Sequence, residues 1–162
     1  MANKSGCDEV VKEIQGLGRQ AYAHTADVSN LQEVQKLVKA SASELGPLNT
    51  MVANAGIAQM ISQVRGMTQA FAMEMAEHKI TVNAYAPGIV GTAMWDLIDE
   101  KLGEKTGAKK GDTIKKYTNE LIALGRTSVP EDVASTVSFL SSKDSDYMTG
   151  QTIVIDGGII FT

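Results

Sequence analysis

The sequence predicts an α/β fold in which a parallel sheet carries helices on both faces. Two observations lead there. Stretches with apolar residues three and four apart alternate with short apolar runs, the order that βα units produce. The short runs also break into turns, Ala26-Asp27-Val28, Asn54-Ala55-Gly56, Pro87-Gly88 and Asp156-Gly157-Gly158, as a buried strand does where it meets a ligand crevice.

Taken in order, Cys7, Val10, Val11, Ile14 and Leu17 predict a helix over Ser5–Leu17, which Gly16 and Gly18 end. Gln20–Thr25 is a short candidate strand. Ser29 with Gln32 forms a candidate capping box for the next helix. That helix puts Leu31, Val34, Leu37, Val38 and Leu45 on one stripe, and Gly46-Pro47 stops it. Leu48–Ala53 reads as a second strand. Val64, Met67, Phe71 and Met75 mark a helix over Ser62–Glu77, with the methionines expected in helix packing. Ile80–Tyr85 is a third strand. Pro130, Glu131 and Asp132 open a helix, because proline fits the first turn and acids suit the positive helix end. Val133, Val137 and Leu140 form its stripe, and Ile153–Ile155 is the last strand. The expected organisation is one domain over 1–162. Its one long connection, 92–124, has the character of a lid.

Composition narrows the function classes. The 162 residues carry a net charge of −4, with 43% hydrophobic and 21% charged residues. That is an ordinary soluble balance, and it argues against nucleic acid or an anionic membrane surface as the main partner. Cys7 is the single cysteine, which excludes an internal disulfide and fits a reducing, cytoplasmic setting. No apolar run reaches membrane-spanning length, and the N-terminus carries no secretory signal pattern. His24 and His78 lie far apart with no metal-ligand spacing around them. The lysines at 101–116 alternate with Asp99, Glu100, Glu104 and Asp112, the pattern of a solvated surface. Gly107-Ala108-Lys109-Lys110-Gly111 is superficially like a phosphate loop, but its spacing fails G-x-x-x-x-G-K and no strand precedes it.

Several pieces occur in a recognisable order: Thr25-Ala26-Asp27-Val28-Ser29, Asn54-Ala55-Gly56, Ile80-Thr81-Val82-Asn83, and Pro87-Gly88-Ile89-Val90-Gly91-Thr92. Gly125-Arg126, Pro130-Glu131-Asp132-Val133-Ala134 and Thr149-Gly150-Gln151 through Asp156-Gly157-Gly158 complete the set. With these residues the chain resembles the short-chain dehydrogenase/reductase family over nearly its whole length, closest to the diacetyl/acetoin reductase and butanediol dehydrogenase branch. The resemblance implies an incomplete Rossmann-like, doubly wound sheet with about four strands remaining. It also implies NAD(P)-dependent reduction of a small ketone or diketone, or the reverse alcohol oxidation. NAD is the favoured cofactor, with NADP not excluded, and a homo-oligomer is the family's usual assembly.

By resemblance, Asp27 accepts a hydrogen bond from the adenine amino group, with the Val28 amide beside it. Asn54, Ala55 and Gly56 let backbone approach the adenosine ribose. Pro87, Gly88, Val90 and Thr92 bracket the nicotinamide and its carboxamide, and Trp95 faces a small substrate. Glycine at such places removes the Cβ that would block a ligand. Each also has a plainer reading: turn chemistry for Asp27 and Asn54, helix capping for Thr92, packing for Trp95. Asp27, Asn54 and Pro87-Gly88 are expected on one rim at the carboxyl ends of the strands.

The chain also departs from the family. No G-x-x-x-G-x-G occurs, and none of Tyr22, Tyr85, Tyr117 and Tyr147 has lysine four residues later. The family uses a serine, a helix asparagine and a Y-x-x-x-K pair in which tyrosine is the acid/base and lysine lowers its pKa. The register of Val64-Arg65-Gly66-Met67-Thr68 places that tyrosine and lysine at Ile57 and Ile61, so a block is missing around Ala58–Gln63. No catalytic residue is therefore assigned. An acid/base group contributes on the order of 10²–10⁴-fold. Three readings follow: an oxidoreductase with segments left out, a non-catalytic remnant that binds intact subunits, or a small nucleotide-binding module.

Overall fold

A computed structural model describes residues 4–54 and 61–161. The chain divides into two compact units, Met1–Ala58 and Gln59–Thr162.

The first unit carries two helices, α1 (Lys4–Gly16) and α2 (Leu31–Leu45). Gly18 ends α1 with φ +73°, a conformation open to glycine, and the Arg19 amide returns to the Ile14 carbonyl at 3.2 Å. The start of α2 differs from the expected capping box. Asn30, not Ser29, is the N-cap: its Oδ1 accepts from the Gln32 and Glu33 amides at 3.0 and 3.3 Å. Ser29 is unavailable because it is bound to Asp27. Residues 20–25 and 48–53, expected as strands, form no ladder among the described residues. Apolar runs mark segments that fit a sheet, but a strand exists only when a neighbour accepts its backbone hydrogen bonds.

The second unit begins with α3 (Ile61–Met75), which tightens into one 3₁₀ turn at Ala76–His78. Strand β1 (Ala84–Pro87) follows, then helices α4 (Ala93–Thr106), α5 (Asp112–Leu121) and α6 (Pro130–Leu140), then strand β2 (Thr152–Ile155). The two strands pair in parallel, Ala84 opposite Thr152 and Pro87 opposite Ile155. The α/β class with a parallel sheet is as expected. The ladder holds two strands among the described residues, where about four were expected.

β1 starts later than the apolar run at Ile80. Asn83 explains the delay: its Nδ2 donates to the Met148 carbonyl at 2.8 Å and its Oδ1 accepts from the Gln151 amide at 3.1 Å. Opposite Val82 the chain turns through Gly150 at φ +72°, so regular pairing begins only at Thr152.

Among the described residues the core of this unit is small. Ala72, Ile89 and Ile122 are its buried apolar residues, with Thr68 and Ala72 marking the inner face of α3. Thr68 satisfies its hydroxyl on the Val64 carbonyl at 2.8 Å. Most of the expected stripe lies outside instead: Val64, Met67 and Phe71 are exposed and Met75 is half-buried. The inner face consists of small residues, which let α3 approach its neighbours closely.

Candidate functional site

The site is built where β1 and β2 end. Pro87 leads into Gly88, whose amide donates to the Ile155 carbonyl at 3.0 Å. A Cβ on Gly88 would stand 2.7 Å from Asp156 Cβ and 2.9 Å from Asp156 Cα. Gly88 is thus required by the close approach of its own neighbour strand, whereas the sequence reading gave it the task of admitting a ligand. Asp156 in turn closes the turn after β2, accepting from the Gly158 and Ile160 amides at 2.9 Å each.

Beyond Gly88 the chain makes one further parallel bridge, Val90 opposite Ser128. The Gly91 amide donates to the Ser128 carbonyl at 2.9 Å, and the Ser128 amide donates to the Ile89 carbonyl at 3.0 Å. In a parallel bridge the flanking residues make these bonds, so Val90's own N–H and C=O point the other way. Among the described residues the Val90 N–H has no partner, and its carbonyl meets only the Thr92 hydroxyl at 3.4 Å, a long contact. A donor and an acceptor side by side on one edge can take up a primary carboxamide.

Thr92 stands at the N-cap of α4 but does not cap it with its side chain. Trp95, on the first turn, packs edge-on to Tyr117 of α5, with ring centroids 6.4 Å apart and planes at 88°. Its packing reading is therefore real, and its indole remains half-buried.

A cleft of about 180 Å³ lies at this strand end, lined by Leu124, Arg126, Ser128, Asp132 and Asp156 among others. Arg126 and Asp132 form a two-pronged ion pair at 2.7 and 2.9 Å. The Arg126 hydrogen bond, with the Val129 amide, holds the Asp132 carboxyl down to about 2. The pair ties the start of α6 to the preceding loop, and a carboxylate held so low is no proton donor near neutrality.

The first unit contains Asp27, Val28 and Asn54. Asp27 Oδ1 accepts from the Ser29 hydroxyl at 2.7 Å and the Ser29 amide at 2.9 Å. These two bonds lower its pKa, the hydroxyl bond most. One carboxylate oxygen is thus committed to turn chemistry. Val28 is exposed, and Asn54 donates its amide to the Val52 carbonyl at 3.1 Å. Ala55, Gly56 and Ile57 lie outside the described residues.

Sequence reading missed Asp99. It is buried, and its carboxylate accepts from the Gly111 amide and from the Ile114 amide at 3.1 Å. These amides belong to the Gly107–Gly111 segment and the first turn of α5, so a carboxylate from α4 already fills the place a phosphate would take. No local signal reveals this, because Asp99 and its donors are twelve and fifteen residues apart.

Among the described residues no group of His, Cys, Asp and Glu is arranged to hold a metal. No helix there is long and apolar enough to cross a membrane.

Residues 62–160 match the family described as enoyl-(acyl carrier protein) reductase, and residues 1–64 match the short chain dehydrogenase family. The chain belongs to the short-chain dehydrogenase/reductase family. The L-2,3-butanediol dehydrogenase of Corynebacterium glutamicum is 56% identical over 98 residues, which cover 60% of this chain and 38% of that protein. A diacetyl reductase [(S)-acetoin forming] of Staphylococcus epidermidis is 34% identical over 217 positions, covering 94% of this chain and 84% of the relative. Those 217 positions exceed the 162 residues of this chain, so the alignment bridges a stretch of the relative without a counterpart here. The fold is that of L-sorbose reductase from Gluconobacter frateurii, solved with NADPH and L-sorbose, at TM-score 0.87 and 17% identity over 99% of this chain and 85% of that one. It is also that of actinorhodin polyketide ketoreductase, at TM-score 0.87 and 21% identity over 97% and 84%.

Proposed function

We propose that this short-chain dehydrogenase/reductase carries the nicotinamide and substrate side of a site for NAD(P)H-dependent reduction of a small ketone or diketone, such as diacetyl or acetoin. The observation that carries this reading lies just beyond the carboxyl end of β1: the Val90 N–H has no partner among the described residues, and its C=O meets only the long Thr92 hydroxyl contact. A carboxamide offers the complementary acceptor and donor, so the residues present fit that end of the cofactor. Pro87, Gly88 and Thr92 would frame it, and Trp95 would face the carbonyl compound. On the adenosine side, Asp27 with its remaining carboxylate oxygen, Val28 and Asn54 would receive the adenine and ribose, together with Ala55 and Gly56. The names of the relatives favour a small hydroxy-ketone or diketone as substrate, and the resemblance to acetoin reductases tilts the cofactor to NAD, with NADP not excluded.

A bound nicotinamide dinucleotide supplies the hydride. This chain's part would be to hold the carboxamide against Val90 and to line the substrate side with Trp95. Ketone reduction also needs a proton at oxygen, and no tyrosine here has its lysine four residues on. That absence favours a second reading, a nucleotide-binding remnant without turnover. The two family matches overlap at residues 62–64 and the two compact units divide after Ala58, close to the junction expected at Ala58–Gln63. The exposed Val64, Met67 and Phe71 face supports assembly with further copies, and the charge and cysteine usage support a cytoplasmic setting.

Calorimetric titration with NADH and AMP, followed by NADH oxidation with diacetyl, tests both. Turnover supports the oxidoreductase reading; binding without turnover selects the remnant. Flat titrations with both nucleotides would sink the site itself.

A further inference from the structure

α5 begins without a cap of its own. Gly111 is its N-cap and offers no side chain, so the free amides of the first turn need an acceptor from elsewhere. Asp99 of α4 supplies it, with one carboxylate oxygen to Gly111 and the other to Ile114. The carboxylate is 3% exposed, and burial of a charge is tolerated only where such donors surround it. Both bonds lower its pKa, the Gly111 bond most.

The same seam holds the aromatic pair. Trp95 lies one turn before Asp99 on α4, and Tyr117 lies one turn after Ile114 on α5. Residues three and four apart share a helix face, so the carboxylate clasp and the Trp95–Tyr117 contact are adjacent rungs between the same two helices. At the tip the hairpin is equally close-fitting: a Cβ on Gly103 would meet the Ala108 carbonyl oxygen at 2.7 Å.

We propose that Asp99 is a positioning residue, which locks α4 and α5 into one preassembled flap and thereby sets the angle of Trp95 before any ligand arrives. What Trp95 then faces rests on the function proposed above; the clasp does not.

Trp95 is the only tryptophan, so its emission reads the seam directly. Asp99→Ala should shift the emission to longer wavelength and raise its quenching by acrylamide. Asp99→Asn, which keeps one acceptor oxygen, should fall between the wild type and Asp99→Ala. An Asp99→Ala protein with retained helicity and unchanged emission and quenching would overturn the proposal. Should that variant fail to fold, hydrogen exchange of the unaltered protein decides: Gly111 and Ile114 amides should exchange at least roughly tenfold slower than free peptide. Exchange at the free-peptide rate would refute the clasp. Slow exchange with no effect of diacetyl on Trp95 emission would uphold the clasp and count against the carbonyl reading.

Discussion

Gly88→Ala separates a glycine needed for packing from one needed for a ligand. The added methyl would sit 2.7 and 2.9 Å from Asp156 Cβ and Cα and 3.2 Å from Ile159 Cδ1. The first two atoms cannot swing away, because Asp156 is fixed to the Gly158 and Ile160 amides. Gly88 is not among the residues with positive φ, so alanine fits its backbone and the effect is steric alone. Overpacking of this kind costs about 1–3 kcal/mol. For a chain of this size that is a fall in Tm of roughly 2–4 °C per kcal/mol. Gly91→Ala is the control, since its nearest atom, the Ser128 carbonyl oxygen, is 3.7 Å away. Thermal unfolding by circular dichroism without nucleotide should show the loss for Gly88→Ala and almost none for Gly91→Ala. Equal midpoints for Gly88→Ala and wild type, or an equal loss in both variants, would refute the packing argument.

Two further outcomes follow from local chemistry. The Asp132 carboxyl, held down to about 2, stabilises the folded state above the ordinary value of 3.8, and the contribution vanishes as pH falls through about 2. Acid unfolding of Asp132→Asn should therefore be flatter between those two values than that of wild type, with the difference shrinking in high salt because the pair is partly exposed. Lys79 is the one described non-glycine residue with positive φ, at 57°. Lys79→Gly should raise stability by about 1 kcal/mol, seen as a higher denaturation midpoint, because glycine enters that region without strain.

Elements whose signals are local were legible in the sequence. Pro130 does open α6, Gly46 does end α2, and Ile153–Ile155 does lie in β2. Gly18 stops α1 through a turn that its own neighbours complete. Signals that depend on a distant segment misled. Residues 20–25 and 48–53 have strand composition but no ladder, since composition cannot provide the neighbouring backbone. Val64, Met67 and Phe71 have core spacing yet face outward, because Thr68 and Ala72 occupy the contact. At the site, the motif Pro87-Gly88 was readable, but its reason was not: only the register of β1 against β2 brings Asp156 onto Gly88. Asp99 was invisible for the same cause, as its donors come from another helix.

The pairing of Ala84 with Thr152 has a consequence for biosynthesis. Every rung of that ladder joins segments separated by most of the second unit, a high contact order, and loop closure must precede any gain from it. A nascent chain cannot make the ladder until residue 155 has left the ribosome. Until then α3, the α4–α5 hairpin and α6 emerge before this ladder can form beside them, and β1 travels without its β2 partner. That interval is when this protein is most exposed to chaperones and to self-association.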